Sequence, residues 1–197
     1  MPENRKPQHR LDPRKPLVLD TRELGRRPGS MRTVRFPAPA PADLGVELIG
    51  VPAGSDVDLD LRLESVMEGV LVSGTAAVAL TGECGRCLEP VNDTLTVPIQ
   101  ELFAYPESAT RAETVGDSID EELAQMEGDL LDLEPALRDA VVLALPLTPL
   151  CREDCAGLCA ECGERLDDLP EDHAHAAPDA RWSALQNLID TKIPEEN

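Results

Sequence analysis

The sequence predicts an α+β protein in which an antiparallel β-sheet is packed by one or two helices. Apolar and charged residues alternate over 57–66, a pattern typical of a strand with one buried and one solvated face. A helical period of apolar residues follows at 133–145. Two Cys-x-x-Cys motifs lie beside these elements, so we expect a Cys-rich region to staple a hairpin tip to a helix end.

The strands are predicted in the first half of the chain. Besides 57–66 we expect them at 46–51, 69–80 and 91–103. Gly74 suggests a bulge within the third of these four strands. The Pro/Ala-rich segment 36–43 is predicted to be an extended connector. Cys84 and Cys87 then fall at the tip of the hairpin that joins the last two strands.

The helix at 133–145 has clear boundary signals. Pro135 suits the first helical turn and Pro146 stops the helix. The residues expected to pack on the sheet are Leu133, Leu137, Ala140, Val141 and Ala144. A second helix is predicted at 179–192, capped by Asp179, with an inward face of Trp182, Leu185, Leu188 and Ile189.

Composition divides the chain into four predicted regions. They are a basic, largely disordered leader (1–36), a β-rich core (37–150) with an acidic linker (107–132) and the helix 133–145, a Cys/His metal-binding region (151–176), and a C-terminal helix and tail (177–197). Within the leader, the short apolar segment 16–20 is expected to dock on the body.

Charge is distributed unevenly along the 197 residues. The net charge is −20, yet residues 1–36 hold ten Lys and Arg against four Asp and Glu, a local +6. An acidic body repels a phosphate backbone and attracts a basic protein. The basic leader either contacts RNA or folds back on the acidic body, and we favour the second interpretation.

The cysteines indicate a reducing compartment. The sequence has no signal-like apolar segment and no run of the roughly 18 apolar residues that spans a membrane, so we expect a cytoplasmic protein. Thiols stay reduced there, and clustered cysteines hold metal more often than they form disulfides.

Eight residues are candidate metal ligands, which is the number that two tetrahedral sites need. They are Cys84, Cys87, Cys151, Cys155, Cys159, Cys162, His173 and His175. The spacing leaves two arrangements open. In the first, the pair Cys84–Cys87 joins Cys151 and Cys155, while the late cysteines join both histidines. In the second, the pair Cys84–Cys87 joins Cys159 and Cys162, and Cys151 and Cys155 are left spare.

A closed tetrahedron of Cys and His has no open position for water, so the expected zinc, one or two ions, is structural. The three histidines fall in no recognisable acid–base constellation, and a hairpin tip is not the βαβ setting of a redox Cys-x-x-Cys. We therefore expect neither an enzyme nor a small-molecule substrate.

Four segments together resemble the YceD family, named for large ribosomal RNA subunit accumulation. They are 84–90 (CGRCLEP), 132–151 (DLEPALRDAVVLALPLTPLC), 154–163 (DCAGLCAECG) and 179–185 (DARWSAL). The chain is similar to a zinc-ribbon-like, Cys-rich member of that family, over roughly residues 16–188. Family members often carry cysteines near the positions of His173 and His175. Some lack the Cys159–Cys162 knuckle while keeping the Cys84–Cys87 one, and this pattern implies two separable sites, as in the first arrangement.

The resemblance implies a bacterial, non-enzymatic factor in ribosome biogenesis that supports accumulation of 23S ribosomal RNA. With the charge, it predicts an acidic surface that docks a basic ribosomal protein or a pre-ribosomal particle, with any contact to ribosomal RNA indirect. The alternative is direct RNA binding through the Arg-rich N-terminal segment, although scarce aromatic residues disfavour base stacking.

Overall fold

A computed structural model describes residues 11–106 and 124–175. Its elements, in chain order, are the strands β1 (Val18–Asp20), β2 (Met31–Pro39), β3 (Ile49–Gly50), β4 (Asp56–Ser65), β5 (Gly69–Glu83), β6 (Pro90–Ala104) and β7 (Leu130–Asp132), the helix α1 (Glu134–Ala144) and a 3₁₀ turn at Leu166–Asp168. The chain forms two compact units, Met1–Glu153 and Asp154–Asn197. The predicted α+β class, an antiparallel sheet with a helix, is confirmed.

The first unit is built on a five-stranded antiparallel sheet. Strand β5 is its centre, pairing with β4 and β3 on one side and with β6 along its whole length on the other. Strand β2 pairs with β4 at the outer edge. The strictly alternating side chains of β4 form the centre of the core, as the sequence predicts, through Val57, Leu59, Leu61 and Leu63.

Helix α1 covers the sheet next to β6. Leu133, Leu137 and Val141 are fully buried there, and Pro135 stands in the first turn as predicted. Ala144 is exposed, so its predicted inward position is wrong; the helix ends there, and Leu145 is buried in its place. Leu145 has extended backbone, which turns the chain out of the helix before Pro146.

Two predicted connectors contain strands. The segment 36–43 begins inside β2, since an edge strand tolerates prolines whose nitrogens face away from its neighbour. The end of the acidic segment 107–132 is β7, which pairs with β1; this pairing confirms that 16–20 docks on the body. Residues 107–123 lie outside the described residues, as does the predicted helix 179–192. The four-region division stays a prediction, and β1 and the start of β2 fall within its leader.

Two details of the sheet differ from expectation. The strand predicted at 46–51 is limited to Ile49–Gly50. No bulge interrupts β5 at Gly74, which pairs in register with Leu61 and Ile99. Glycine is needed for another reason, because a Cβ at this position would lie 2.1 Å from the carbonyl oxygen of Asp60. The close approach of β4 to β5, and not a bulge, therefore explains the glycine at this position.

Candidate metal centres

The first Cys-x-x-Cys motif forms the tight connection between β5 and β6, as predicted. The Cys84 N–H donates to the carbonyl oxygen of Glu89 at 2.8 Å, and the Leu88 N–H donates to that of Cys84 at 2.9 Å. These bonds extend the hairpin ladder and curl residues 84–89 into a knuckle. Both sulfur-bearing residues, Cys84 and Cys87, are buried.

The segment after α1 lies against this knuckle. The Gly85 N–H donates to the carbonyl oxygen of Pro149 at 2.8 Å. A Cβ on Gly85 would stand only 2.9 Å from the methyl group of Thr148, so glycine permits the close contact. The two segments thereby place the Sγ atoms of Cys87 and Cys151 3.6 Å apart, although 64 positions separate them in the sequence.

The first group comprises Cys84, Cys87, Cys151 and Cys155, with all sulfur atoms within 4.8 Å of one another. All four cysteines are free thiols, and Cys151 alone among them is exposed. Four thiolates at 2.3 Å from a tetrahedral zinc ion stand about 3.8 Å apart. The 3.6 Å separation between Cys87 and Cys151 therefore fits a group that could hold a metal ion.

Local electrostatics favour a thiolate at Cys84. Burial raises the pKa of this thiol, but backbone hydrogen bonds from Cys151, Arg86 and Cys87 outweigh it and lower the pKa from 9.0 to about 6. A thiolate is the form of cysteine that binds metal. Cys84 is thus largely in its metal-binding form at neutral pH.

The second knuckle, in the unit Asp154–Asn197, repeats the hydrogen bonds of the first. The Cys159 N–H donates to the carbonyl oxygen of Glu164 at 2.7 Å, and the Gly163 N–H donates to that of Cys159 at 2.9 Å. The residue after the second cysteine is left-handed in both, with φ of 74° at Gly163 and 63° at Leu88. The two knuckles therefore share one backbone geometry.

The second group consists of Cys159, Cys162, His173 and His175. The Cys159 Sγ lies 3.1 Å from Nε2 of His175, and the Cys162 Sγ lies 3.6 Å from Nε2 of His173. The imidazole rings meet edge to face, with centroids 4.6 Å apart. Two sulfurs and two ring nitrogens converge, so this group could also hold a metal ion.

A nearby carboxylate and backbone N–H groups affect the orientation of His175 and the pKa of Cys159 in the second group. The Oε2 of Glu161 lies 3.6 Å from Nδ1 of His175, the position from which a carboxylate orients a ligand imidazole. Backbone hydrogen bonds from Cys162 and Glu161, with the His173 side chain, lower the pKa of Cys159 to about 6. Unlike the first group, this one is half-buried to exposed throughout.

The geometry brings the eight predicted residues together as in the first arrangement and not as in the second. Sequence reasoning missed Glu161, which no spacing rule indicates. It also missed Leu88, although aligning the two knuckles by their cysteines places this leucine opposite Gly163.

Among residues 11–106 and 124–175, no helix is both long enough and apolar enough to cross a membrane.

The sheet, its long hairpin and the two Cys/His groups define a class of α+β protein with two candidate metal centres. A family model described as "Large ribosomal RNA subunit accumulation protein YceD" matches residues 72–189, a range that contains all eight candidate ligands. The chain belongs to the YceD family. The family description connects it with the RNA of the large ribosomal subunit.

Related mycobacterial proteins extend the match along the chain. A Mycobacterium tuberculosis (strain ATCC 25618 / H37Rv) protein described as uncharacterized is 46% identical over 174 residues, covering 88% of this chain and 82% of the relative. One from Mycobacterium leprae (strain TN), described likewise, is 41% identical over 180 residues, covering 91% and 81%. No solved structure matches the chain.

Proposed function

We propose that the chain is a non-enzymatic ribosome-biogenesis factor that supports accumulation or processing of 23S ribosomal RNA in the bacterial cytoplasm. The observation that carries this proposal is the family match, which spans residues 72–189 and hence both Cys/His groups. The role assigned to the chain is that of a scaffold: it binds a partner and transforms no small molecule.

Zinc is the metal that best fits the donor sets. All-thiolate and Cys₂His₂ sets are those of closed structural zinc sites, which leave no position for a reacting water. In the first group the ion would hold the β5–β6 hairpin tip against the segment that follows α1, through Cys87 and Cys151. The ligands we propose are therefore Cys84, Cys87, Cys151 and Cys155 for one ion, and Cys159, Cys162, His173 and His175 for the other.

The acidic surface favours a basic protein partner. The net charge is −20, and Asp56 and Asp58 stand exposed along the outward side of β4. Potentials of this sign repel phosphate and attract Lys and Arg. A basic ribosomal protein, alone or within a pre-ribosomal particle, has the complementary charge. Contact with ribosomal RNA would then be indirect, through that protein.

The ion pairs of the basic segment argue against direct RNA binding. Arg22 pairs with Asp20, Arg32 with Glu23 at 2.8 Å, and Arg35 with Asp60 at 2.9 Å. Arg26 lies 3.4 Å from Asp129 and stacks 4.9 Å from the ring centroid of Tyr105. Each of these four guanidinium groups faces a carboxylate of this chain. The pairs Arg35–Asp60 and Arg26–Asp129 join the basic segment to the acidic body, which supports the interpretation that the segment folds back on it.

The test is conditional depletion of the protein, followed by quantification of 23S and 16S ribosomal RNA. We expect the 23S to 16S ratio to fall, and to recover when the wild-type chain is supplied. A chain with Cys84→Ser and Cys87→Ser should fail to restore the ratio, whereas Thr96→Ser, on the exposed side of β6, should restore it. A normal ratio after depletion would refute the proposed role.

A further inference from the structure

The two groups of candidate ligands differ in how far solvent reaches their sulfur atoms. Three cysteines of the first group are buried, and the fourth, Cys151, is exposed. In the second group Cys162 is exposed and Cys159 is half-buried. Thiolates react with oxidants in proportion to their accessibility. A small oxidant in water therefore reaches both thiolates of the second group but only one thiolate of the first.

The two knuckles also differ in how tightly they are packed. A Cβ on Gly85, inside the first knuckle, would stand 2.9 Å from the methyl group of Thr148, and the Gly85 N–H is bonded to Pro149. The equivalent position of the second knuckle is Ala160, directly after its first cysteine, and this alanine is exposed. A Cβ on Gly163 would meet nothing within 4 Å. The second knuckle can therefore change its shape without displacing packed side chains.

The segment 156–175, which carries the second group, has no apolar core of its own. Gly157 is the single buried residue among these twenty positions. Backbone hydrogen bonds fold the segment, such as that from the Leu166 N–H to the carbonyl oxygen of Gly157 at 2.9 Å. A small unit without a core depends on its metal ion for stability. Loss of the ion should therefore unfold this segment while the sheet keeps its structure.

We propose that the second group is a peroxide-responsive zinc switch, in which oxidation of Cys159 and Cys162 to a disulfide expels the ion. The exposed Cys162 thiolate attacks hydrogen peroxide and becomes a sulfenic acid, and the hydroxide that leaves is protonated to water. The Cys159 thiolate then attacks the sulfenic sulfur, forms the S–S bond and displaces a second hydroxide, which also takes a proton.

The electrons and atoms of this reaction balance. The two thiolates lose two electrons, and the peroxide gains them and takes up two protons to give two molecules of water. Zinc keeps its oxidation state and leaves as Zn²⁺, and both imidazoles are returned neutral. Reduction of the disulfide by a dithiol regenerates the thiolates, so zinc can bind again. The switch is therefore reversible.

The first group is a poor substrate for the same reaction. Oxidation there can begin only at Cys151, and the sulfur that lies 3.6 Å away belongs to Cys87, in the buried and packed knuckle. The first ion should therefore stay bound when the second is released. This inference rests on the proposed zinc occupancy of the second group and does not depend on the ribosomal role.

The test exposes the full-length, zinc-loaded chain to hydrogen peroxide and measures zinc release with a colorimetric chelator. We expect the wild type to lose one of its two ions. Cys87→Ser, which retains only the second ion, should lose that ion, whereas Cys162→Ser, which retains only the first, should lose none at the same peroxide concentration. In the wild type, mass spectrometry should find one Cys159–Cys162 disulfide for each ion released, and dithiothreitol with added zinc should restore the metal content.

Limited proteolysis with trypsin reports the change of structure. Arg165 is half-buried within the segment 156–175, and Arg86 is exposed within the first knuckle. Peroxide should accelerate cleavage after Arg165 and leave the rate of cleavage after Arg86 unchanged. The Arg86 site is thus a control within the same molecule. Equal acceleration at both sites would contradict a change confined to the second group.

The remaining outcomes are also decisive. Equal zinc release from Cys87→Ser and Cys162→Ser would overturn the inference, as would release from the wild type without a Cys159–Cys162 disulfide. Zinc that stays bound to Cys87→Ser in peroxide would refute the switch alone and leave the proposed metal centre intact. A Cys87→Ser chain that holds no zinc before treatment would refute both. The ribosomal role is tested separately, by the ratio of 23S to 16S RNA on depletion.

Discussion

Substitution of one cysteine from each group should separate the two candidate metal centres. We expect the wild-type chain to hold two zinc ions, and Cys87→Ser and Cys162→Ser to hold one each, because no ligand is shared between the groups. The double variant should hold none. Elemental analysis of desalted protein gives the metal content per chain. Loss of both ions from a single substitution would refute two independent sites.

The two substitutions should also differ in their effect on stability. An ion present at about 1,000 times its dissociation constant stabilises the folded state by about 4 kcal/mol. At about 2–4 °C per kcal/mol for a chain of this size, Cys87→Ser should lower the Tm by roughly 8–16 °C. The first group joins cysteines 64 positions apart and the second joins ligands 16 positions apart. Two doublings of loop length add about 1.2 kcal/mol of closure entropy, so Cys162→Ser should cost less.

Circular dichroism melts of the metal-loaded variants measure this difference. Metal-stripped wild-type protein is the control. Without zinc, Cys87→Ser and Cys162→Ser should each have a Tm close to that of this control. An equal fall in Tm for both variants would contradict the argument from loop length.

Three further predictions test the fold and the thiols. Leu137→Ala should cost about 2–5 kcal/mol in urea unfolding because the side chain is fully buried, whereas Leu143→Ala, on the exposed side of the same helix, should cost less than about 0.5 kcal/mol. Gly74→Ala should lower the free energy of unfolding by about 3 kcal/mol, since its Cβ would meet a backbone oxygen at 2.1 Å. Gly163→Ala should lower it by about 1 kcal/mol, because nothing lies within 4 Å of its Cβ and only its positive φ is unfavourable. The Cys84 pKa is lowered from 9.0 to about 6, so the stability that its thiolate contributes is complete above pH 9 and is lost as the pH falls through 6. Zinc release, followed with a colorimetric chelator, should therefore begin near or below pH 6. Release already at pH 7.5 would contradict the direction of this pKa shift.

Local patterns predicted the parts of the fold that local physics determines. Alternation in β4 identified its buried face because the side-chain period of a strand is two. Pro135 and Pro146 bounded the helix to within a residue or two. A turn-like motif between two long strands predicts the hairpin tip, and with it the position of Cys84 and Cys87.

Long-range pairing could not be predicted in the same way. Strand β7 has three residues, and its partner β1 lies more than 100 positions earlier, so no periodicity predicts either strand. The prolines of β2 indicate a loop unless the strand is known to be at an edge. The grouping of the ligands depends on the contact between Gly85 and Pro149, which spacing alone does not encode.

The paired strands β5 and β6 set a long distance between the two ends of the hairpin. Fifteen residues in each strand, at about 3.4 Å per residue, separate the knuckle from the Gly69 and Ala104 end by roughly 50 Å. A protein held at one end leaves the other end accessible, so two molecules can occupy the hairpin together without a steric clash.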